Sequence, residues 1–236
     1  MGIKAVLFDL DGTLLPMDQE VFIKAYFGGL AKKLATVGYE PPKLIDSIWQ
    51  GSAAMVKNNG EKTNEEVFWK RFSEVYGKDV RVDEPYFEAY YRDDFDGVKS
   101  VCGYNPEAAK TVKYIKSLGL SVALATNPLF PYIATEKRTA WAGLSVSDFE
   151  LVTTYENSKY CKPNPKYYEC ILDIMGLKAS ETLMVGNDVC EDMIAESLGM
   201  HVFLLTDNLI NKESKDVSRY PNGSFDKLIE YVKTLI

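Results

Sequence analysis

From about residue 101 to the end of the chain, short apolar runs alternate with amphipathic segments, and that alternation leaves few folds open. Asn105-Pro106-Glu107 supplies an N-cap, a proline suited to the first helical position and a first-turn acid. Ala108, Val112, Ile115 and Leu118 then recur at helical spacing, and Gly119 closes the segment. Residues 121–127 read as a buried strand. A helix is expected around 131–142, a strand near 149–153, and a helix from Asn164-Pro165 to Gly176. A strand over 182–186, a helix over 189–198 closed by Gly199, a strand over 201–205 and an amphipathic helix over 224–236 complete the series. With the apolar run Ile3-Lys4-Ala5-Val6-Leu7-Phe8 as the first strand, this predicts an α/β fold built on a doubly wound, mostly parallel sheet.

The interval from 17 to 97 breaks the alternation. Ile23, Tyr26, Phe27, Leu30, Leu34 and Val37 recur at helical spacing before Gly38. Thr63-Asn64-Glu65-Glu66 is a capping box for a second helix that carries Val67, Phe68, Phe72, Val75 and Tyr76. Between them, residues 51–60 read as a polar loop. The interval holds 14 of the 29 aromatic residues, enough for a small core of its own. The expected organisation is a core of residues 1–16 and 98–236, with an all-helical domain inserted at 17–97.

A formal charge of −7 argues against nucleic-acid or anionic-membrane partners, which are held by clustered Lys and Arg. No apolar run approaches the roughly 20 residues that span a bilayer, and the chain enters its first strand without a signal-peptide pattern. Cys102, Cys161, Cys170 and Cys190 show no CxxC spacing and His201 is the sole histidine, so a zinc site is not expected. Reduced thiols in a cytoplasmic protein are the expected state. Charge-relay chemistry would have to rest on His201, inside a strand, which counts against it.

The chemistry gathers at strand ends. The first strand runs into Asp9-Leu10-Asp11-Gly12-Thr13, and an acid between Phe8 and Leu10 needs a positive partner, a metal ion being the natural one. The next strand ends in Thr126-Asn127, Lys162 precedes the Asn164-Pro165 helix, and the strand over 182–186 ends in Gly186-Asn187-Asp188, with Asp192 four residues on. In a parallel sheet these ends share one rim, where ligands bind.

In this order the four groups resemble the motifs of the haloacid dehalogenase superfamily of phosphotransferases, along the whole chain. Asp9-Leu-Asp11-Gly-Thr13 matches the first motif, Thr126 the second, Lys162 in Cys-Lys-Pro-Asn-Pro the third, and Gly186-Asn187-Asp188 with Asp192 the fourth. The resemblance implies that Asp9 is the nucleophile that becomes an aspartyl-phosphate. It implies that Asp11 protonates the leaving oxygen and then activates water. Thr126, Asn127 and Lys162 would hold the phosphoryl oxygens, and Asp9, Asp11 and Asp188 would bind Mg²⁺. Charge repulsion between a carboxylate and a phosphoryl dianion independently calls for a hard cation and a lysine at the same point.

The fourth motif often carries aspartate directly after its glycine. Here Asn187 stands there and the acid follows as Asp188, which as an anion is the better Mg²⁺ ligand; Asp192 is left for the outer shell or for orienting Lys162. Members that cleave carbon–halogen bonds characteristically lack an acid at the position of Asp11, so its presence favours phosphate esters. The insert lies where family members carry a helical cap, and the interval from Asn127 to Lys162 leaves no room for another. The expected function is a cytoplasmic Mg²⁺-dependent phosphatase for a small phosphorylated metabolite. The alternatives are a phosphosugar mutase of the same superfamily and a non-catalytic regulatory binding protein of the same fold.

Overall fold

The computed structural model describes residues 2–236. Six strands form one parallel sheet: β1 (Ala5–Phe8), β2 (Ser121–Leu124), β3 (Leu151–Val152), β4 (Thr182–Gly186), β5 (His201–Leu205) and β6 (Asn222–Gly223), in the order β3-β2-β1-β4-β5-β6. β1 is central, with Phe8 in register with Leu124 on one side and Val185 on the other. The expected five strands are present. β6 is an addition that no apolar pattern announces, because its two residues, Asn222 and Gly223, contribute backbone and no buried side chain.

Period-two alternation divides the sheet between two cores. Val6, Phe8, Val122, Leu124, Leu183, Val185, Phe203 and Leu205 face one apolar cluster with α5 (Pro106–Ser117) and α8 (Phe225–Leu235). Leu7, Ala123, Ala125, Met184, Val202 and Leu204 face a second cluster with α7 (Pro165–Met175). The caps expected at Asn105 and Asn164 are made, each side chain accepting a backbone amide of the first turn. α6 (Tyr132–Trp141) follows β2.

One expected helix is different. Residues 189–198 give only a 3₁₀ stretch, Met193–Leu198. The turn before it is tied by its acids: Asp188 Oδ1 accepts from the amides of Cys190 (2.7 Å) and Glu191 (2.9 Å), as an N-cap does, and Asp192 Oδ2 from that of Asp188 (2.9 Å).

Between β1 and α5 the described chain is helical: α1 (Gln19–Ala35), α2 (Pro41–Val56), α3 (Asn64–Tyr76), α4 (Glu84–Asp93) and a 3₁₀ stretch, Phe95–Val101. α2 corrects the expected polar loop, since residues 51–56 are its last turns. Gly51 sits there because α3 packs against it, and a Cβ would press on the Phe68 ring. The outgoing and returning chain meet in an antiparallel bridge between Met17 and Cys102, with the Gly103 amide donating to Pro16 O at 2.7 Å.

α3 docks directly on the sheet end. Its capping box is formed, Thr63 Oγ1 accepting the Glu66 amide and Glu66 Oε2 accepting the Thr63 amide. The Asn64 and Glu65 amides donate to Ser158 O and Tyr155 O, both at 2.8 Å, while the Asn64 side chain reaches the sulfur of Cys161, next to Lys162. Thr63→Ala removes one side of the box and should cost about 1 kcal/mol, read as a lower urea midpoint, whereas Thr63→Ser should keep most of the stability.

Candidate active site

The carboxyl ends of β1, β2 and β4 open into one cavity of about 290 Å³ whose wall includes Asp9, Asp11, Thr126, Asn127, Asn187, Asp188, Glu191 and Asp192. Lys162 reaches it from beneath. Its ammonium, fully buried, donates to Asp9 Oδ1 at 2.9 Å and to Asp192 Oδ1 at 2.6 Å. Burial alone would pull this amine down, but Asp192 and then Asp9 outweigh it and hold it well above the ordinary lysine value. Asp192 therefore aims Lys162. Burial pushes the Asp192 carboxyl itself up to about 6 against the pull of Lys162.

The first-motif turn is closed by glycine. Gly12 sits at φ +84°, and a Cβ there would strike the Asn187 amide. Asn187 Nδ2 donates to Asn208 O at 2.6 Å, which turns its Oδ1 toward Thr13. The Thr13 hydroxyl lies 3.0 Å from that oxygen and 3.0 Å from Asp9 Oδ2, one proton between two acceptors. Thr126 is buried at the end of β2, its carbonyl accepting from Thr153 Oγ1 (2.7 Å) and the Tyr167 hydroxyl (2.8 Å). Asn127 gives its amide to Glu191 Oε2 at 2.9 Å, and its own Oδ1 is buried without a partner.

A sequence model for haloacid dehalogenase-like hydrolases matches residues 3–195. The chain belongs to that family. Glyceraldehyde 3-phosphate phosphatase of Methanocaldococcus jannaschii is 27% identical over 99% of this chain and 98% of its own. Phosphoglycolate phosphatase of Pectobacterium atrosepticum is 26% identical over 84% of this chain and 78% of its own. Among solved structures, a 2-haloacid dehalogenase from Pseudomonas syringae pv. Tomato superposes with a TM-score of 0.64, at 18% identity, over 99% of this chain and 100% of that one. The last likeness establishes the fold. With its phosphatase relatives, this haloacid dehalogenase-like hydrolase is a phosphatase-like member of the family.

Two charged members of the candidate site stand at no strand end. Arg138 of α6 is fully buried, pairs with Asp11 Oδ2, and lies over the Phe130 ring at 4.4 Å. Its signal was available: Ala134, Arg138 and Trp141 share one helical face, and Arg138 is the charge on that buried stripe. Glu191 is the other, sitting between Asp188 and Asp192. Burial raises its carboxyl to about 7, against the pull of Lys162. His201 opens β5, away from this cavity.

Asp9, Asp11 and Asp188, the expected metal ligands, line the same wall, but no group of three His, Cys, Asp or Glu among the described residues is drawn together as a ready cluster. Lys162 and Thr13 engage Asp9, Arg138 engages Asp11, and two amides engage Asp188 Oδ1. The charge balance nonetheless fits the divalent metal that the family generally uses. Five carboxylates (Asp9, Asp11, Asp188, Glu191 and Asp192) face the buried Lys162 and Arg138 and the exposed Lys212, and Asp11 Oδ1 is buried without a partner. Burial, relieved by Arg138 and reinforced by Asp9, raises Asp11 as well.

Arg138→Met would leave Asp11 in the wall without its counter-charge and should cost about 3 kcal/mol in urea unfolding. Adding Asp11→Asn should restore part of that loss, giving a non-additive cycle. Glu191 has a folded value above its unfolded one, so its contribution is whole below about 4.5 and lost as pH rises through about 7. In metal-free protein, Glu191→Gln should therefore be more stable than wild type at pH 8, on the order of 1 kcal/mol, with the gap closing toward pH 4.5.

Proposed function

We propose that this hydrolase is a cytoplasmic Mg²⁺-dependent phosphatase that releases inorganic phosphate from a small phosphorylated metabolite through an aspartyl-phosphate on Asp9. The observation that carries the reading is the placement of Asp9: a carboxylate at the end of the central strand, clamped by a buried lysine, in the wall of a cavity it shares with Asp11, Thr126 and Asp188. The phosphatase names of the two relatives agree with it.

Lys162 fixes the direction of Asp9 and sets a permanent positive charge beside it, which lowers the cost of bringing a phosphoryl dianion to a carboxylate. Thr126 and Asn127 stand beside it to hold phosphoryl oxygens. Asp11 suits both halves of the reaction. Its raised carboxyl favours the acid form that protonates the leaving oxygen, while Arg138 stabilises the carboxylate form that later draws a proton from water. Mg²⁺ held by Asp9, Asp11 and Asp188 would supply the remaining charge neutralisation. The helices over 17–97 act as a cap that shelters the site from water, joined to the core through the two passes at Met17 and Cys102.

A panel of phosphate monoesters, assayed for phosphate release with and without Mg²⁺, tests this. Activity should disappear in EDTA and return with Mg²⁺, and Asp9→Asn should lose at least about 10³-fold in kcat while staying folded. An Asp9→Asn enzyme at wild-type rate would remove the covalent mechanism. A wild type inert on every ester would remove the phosphatase reading altogether.

A further inference from the structure

A second cavity, of about 540 Å³, lies among α1, α2, α3, α4 and the loop after β2. It adjoins the cavity of Asp9: Ile23, Trp49, Leu129 and Phe130 belong to both walls. Ten of its wall residues are aromatic, among them Tyr26, Phe27, Phe68, Trp69 and Tyr91. Its charges are one-sided. Glu65 and Glu84 are paired with Arg81 and Arg92 with Asp93, which leaves Glu88 and Glu156 facing it without an ion pair among the described residues. Glu156 Oε1 accepts the Tyr132 amide at 2.8 Å, while its Oε2 is buried without a partner.

A volume of that size is what binding sites for whole organic molecules offer, and an aromatic wall rewards apolar or π-bearing groups. A phosphoglycolate or pyrophosphate would place its second anion beside Glu88 and Glu156, carboxylates that no cation of this wall pairs. From the wall and the seam it shares with the cavity of Asp9, and resting on the phosphatase reading above, we infer that the chamber receives the leaving group of the substrate. The substrate class is a phosphate monoester of a bulky aromatic or apolar alcohol that carries no further anionic group. Hydrolysis breaks the ester P–O bond. The phosphoryl group ends on water oxygen as inorganic phosphate, and the alcohol, holding the proton given to its oxygen, is released through the chamber.

The test compares alkyl esters whose alcohols have similar acidity, so that differences report binding: ethyl phosphate, 2-phenylethyl phosphate and its 4-carboxy derivative, alongside phosphoglycolate. The expected kcat/KM for 2-phenylethyl phosphate exceeds that for ethyl phosphate and for phosphoglycolate by at least about tenfold, and the 4-carboxylate removes most of the gain. Trp49 is half-exposed on the seam between the cavities, and Trp49→Ala should collapse the phenylethyl-to-ethyl ratio toward one. The ratio is read within one enzyme, so a general loss of activity does not mimic the result. Phe27→Leu gives a second measure of the same ratio. Equal rates for all esters, or a preference for phosphoglycolate, would overturn the chamber assignment and leave the phosphatase reading standing. Calorimetry with 2-phenylethanol separates the remaining outcomes. Binding that Trp49→Ala abolishes, with no ester hydrolysed, supports the chamber as an apolar ligand site and overturns the phosphatase reading, whereas neither binding nor hydrolysis overturns both.

Discussion

The Lys162 ammonium is the tie on which the site depends. It is fully buried between Asp9 and Asp192, and it joins three separate parts of the chain at the sheet edge. Burying one cation between two carboxylates is tolerable only because each loses its water to the other, and breaking the set would strand an ion in a dry interior. The arrangement also ties down the turn after β4. Asp192 gives one oxygen to Lys162 and the other to the Asp188 amide, so carboxylate hydrogen bonds tie the chain there beside the backbone bond from the Asp192 amide to Asp188 O.

The core was legible because its signals are local. Val6, Leu7 and Phe8 form a continuous apolar run, and Asn105-Pro106 and Asn164-Pro165 punctuate their helices within three residues. α2 was not, because Gly51 and Ser52 look like loop residues until Phe68, arriving from another helix, supplies the packing that keeps Gly51 bare. The site divides in the same way. Asp9, Asp11, Thr126, Asn127, Lys162 and Asp188 stand at strand or helix ends that the pattern itself marks, and all but Lys162 appear in one cavity wall, with Lys162 bonded to Asp9. Arg138 sits mid-helix, and its meaning comes only from Asp11, 127 residues away in sequence.

The helical interval and the carboxyl edge of the sheet are not independent layers. The aromatic cluster of Phe22, Tyr26 and Phe95 belongs to the same apolar core as Val6 and Phe8, and the Phe130 ring beneath Arg138 also meets Tyr26 edge-on. Asn64 reaches the residue that precedes Lys162. A change in how the helices sit on the sheet would thus be felt at both cations of the site.

The shared proton of Thr13 gives position 187 a meaning that its amide alone does not suggest. An aspartate there would accept the same hydrogen bond but would add a sixth carboxylate to a wall in which Asp11, Glu191 and Asp192 are already hard to ionise. Asn187 accepts it as a neutral group. When Asp9 Oδ2 takes up another partner, the Thr13 hydroxyl can turn to Asn187 Oδ1 and remain bonded. The asparagine thus works as a resting place for a proton donor, letting Asp9 change partners without leaving a buried hydroxyl unpaired.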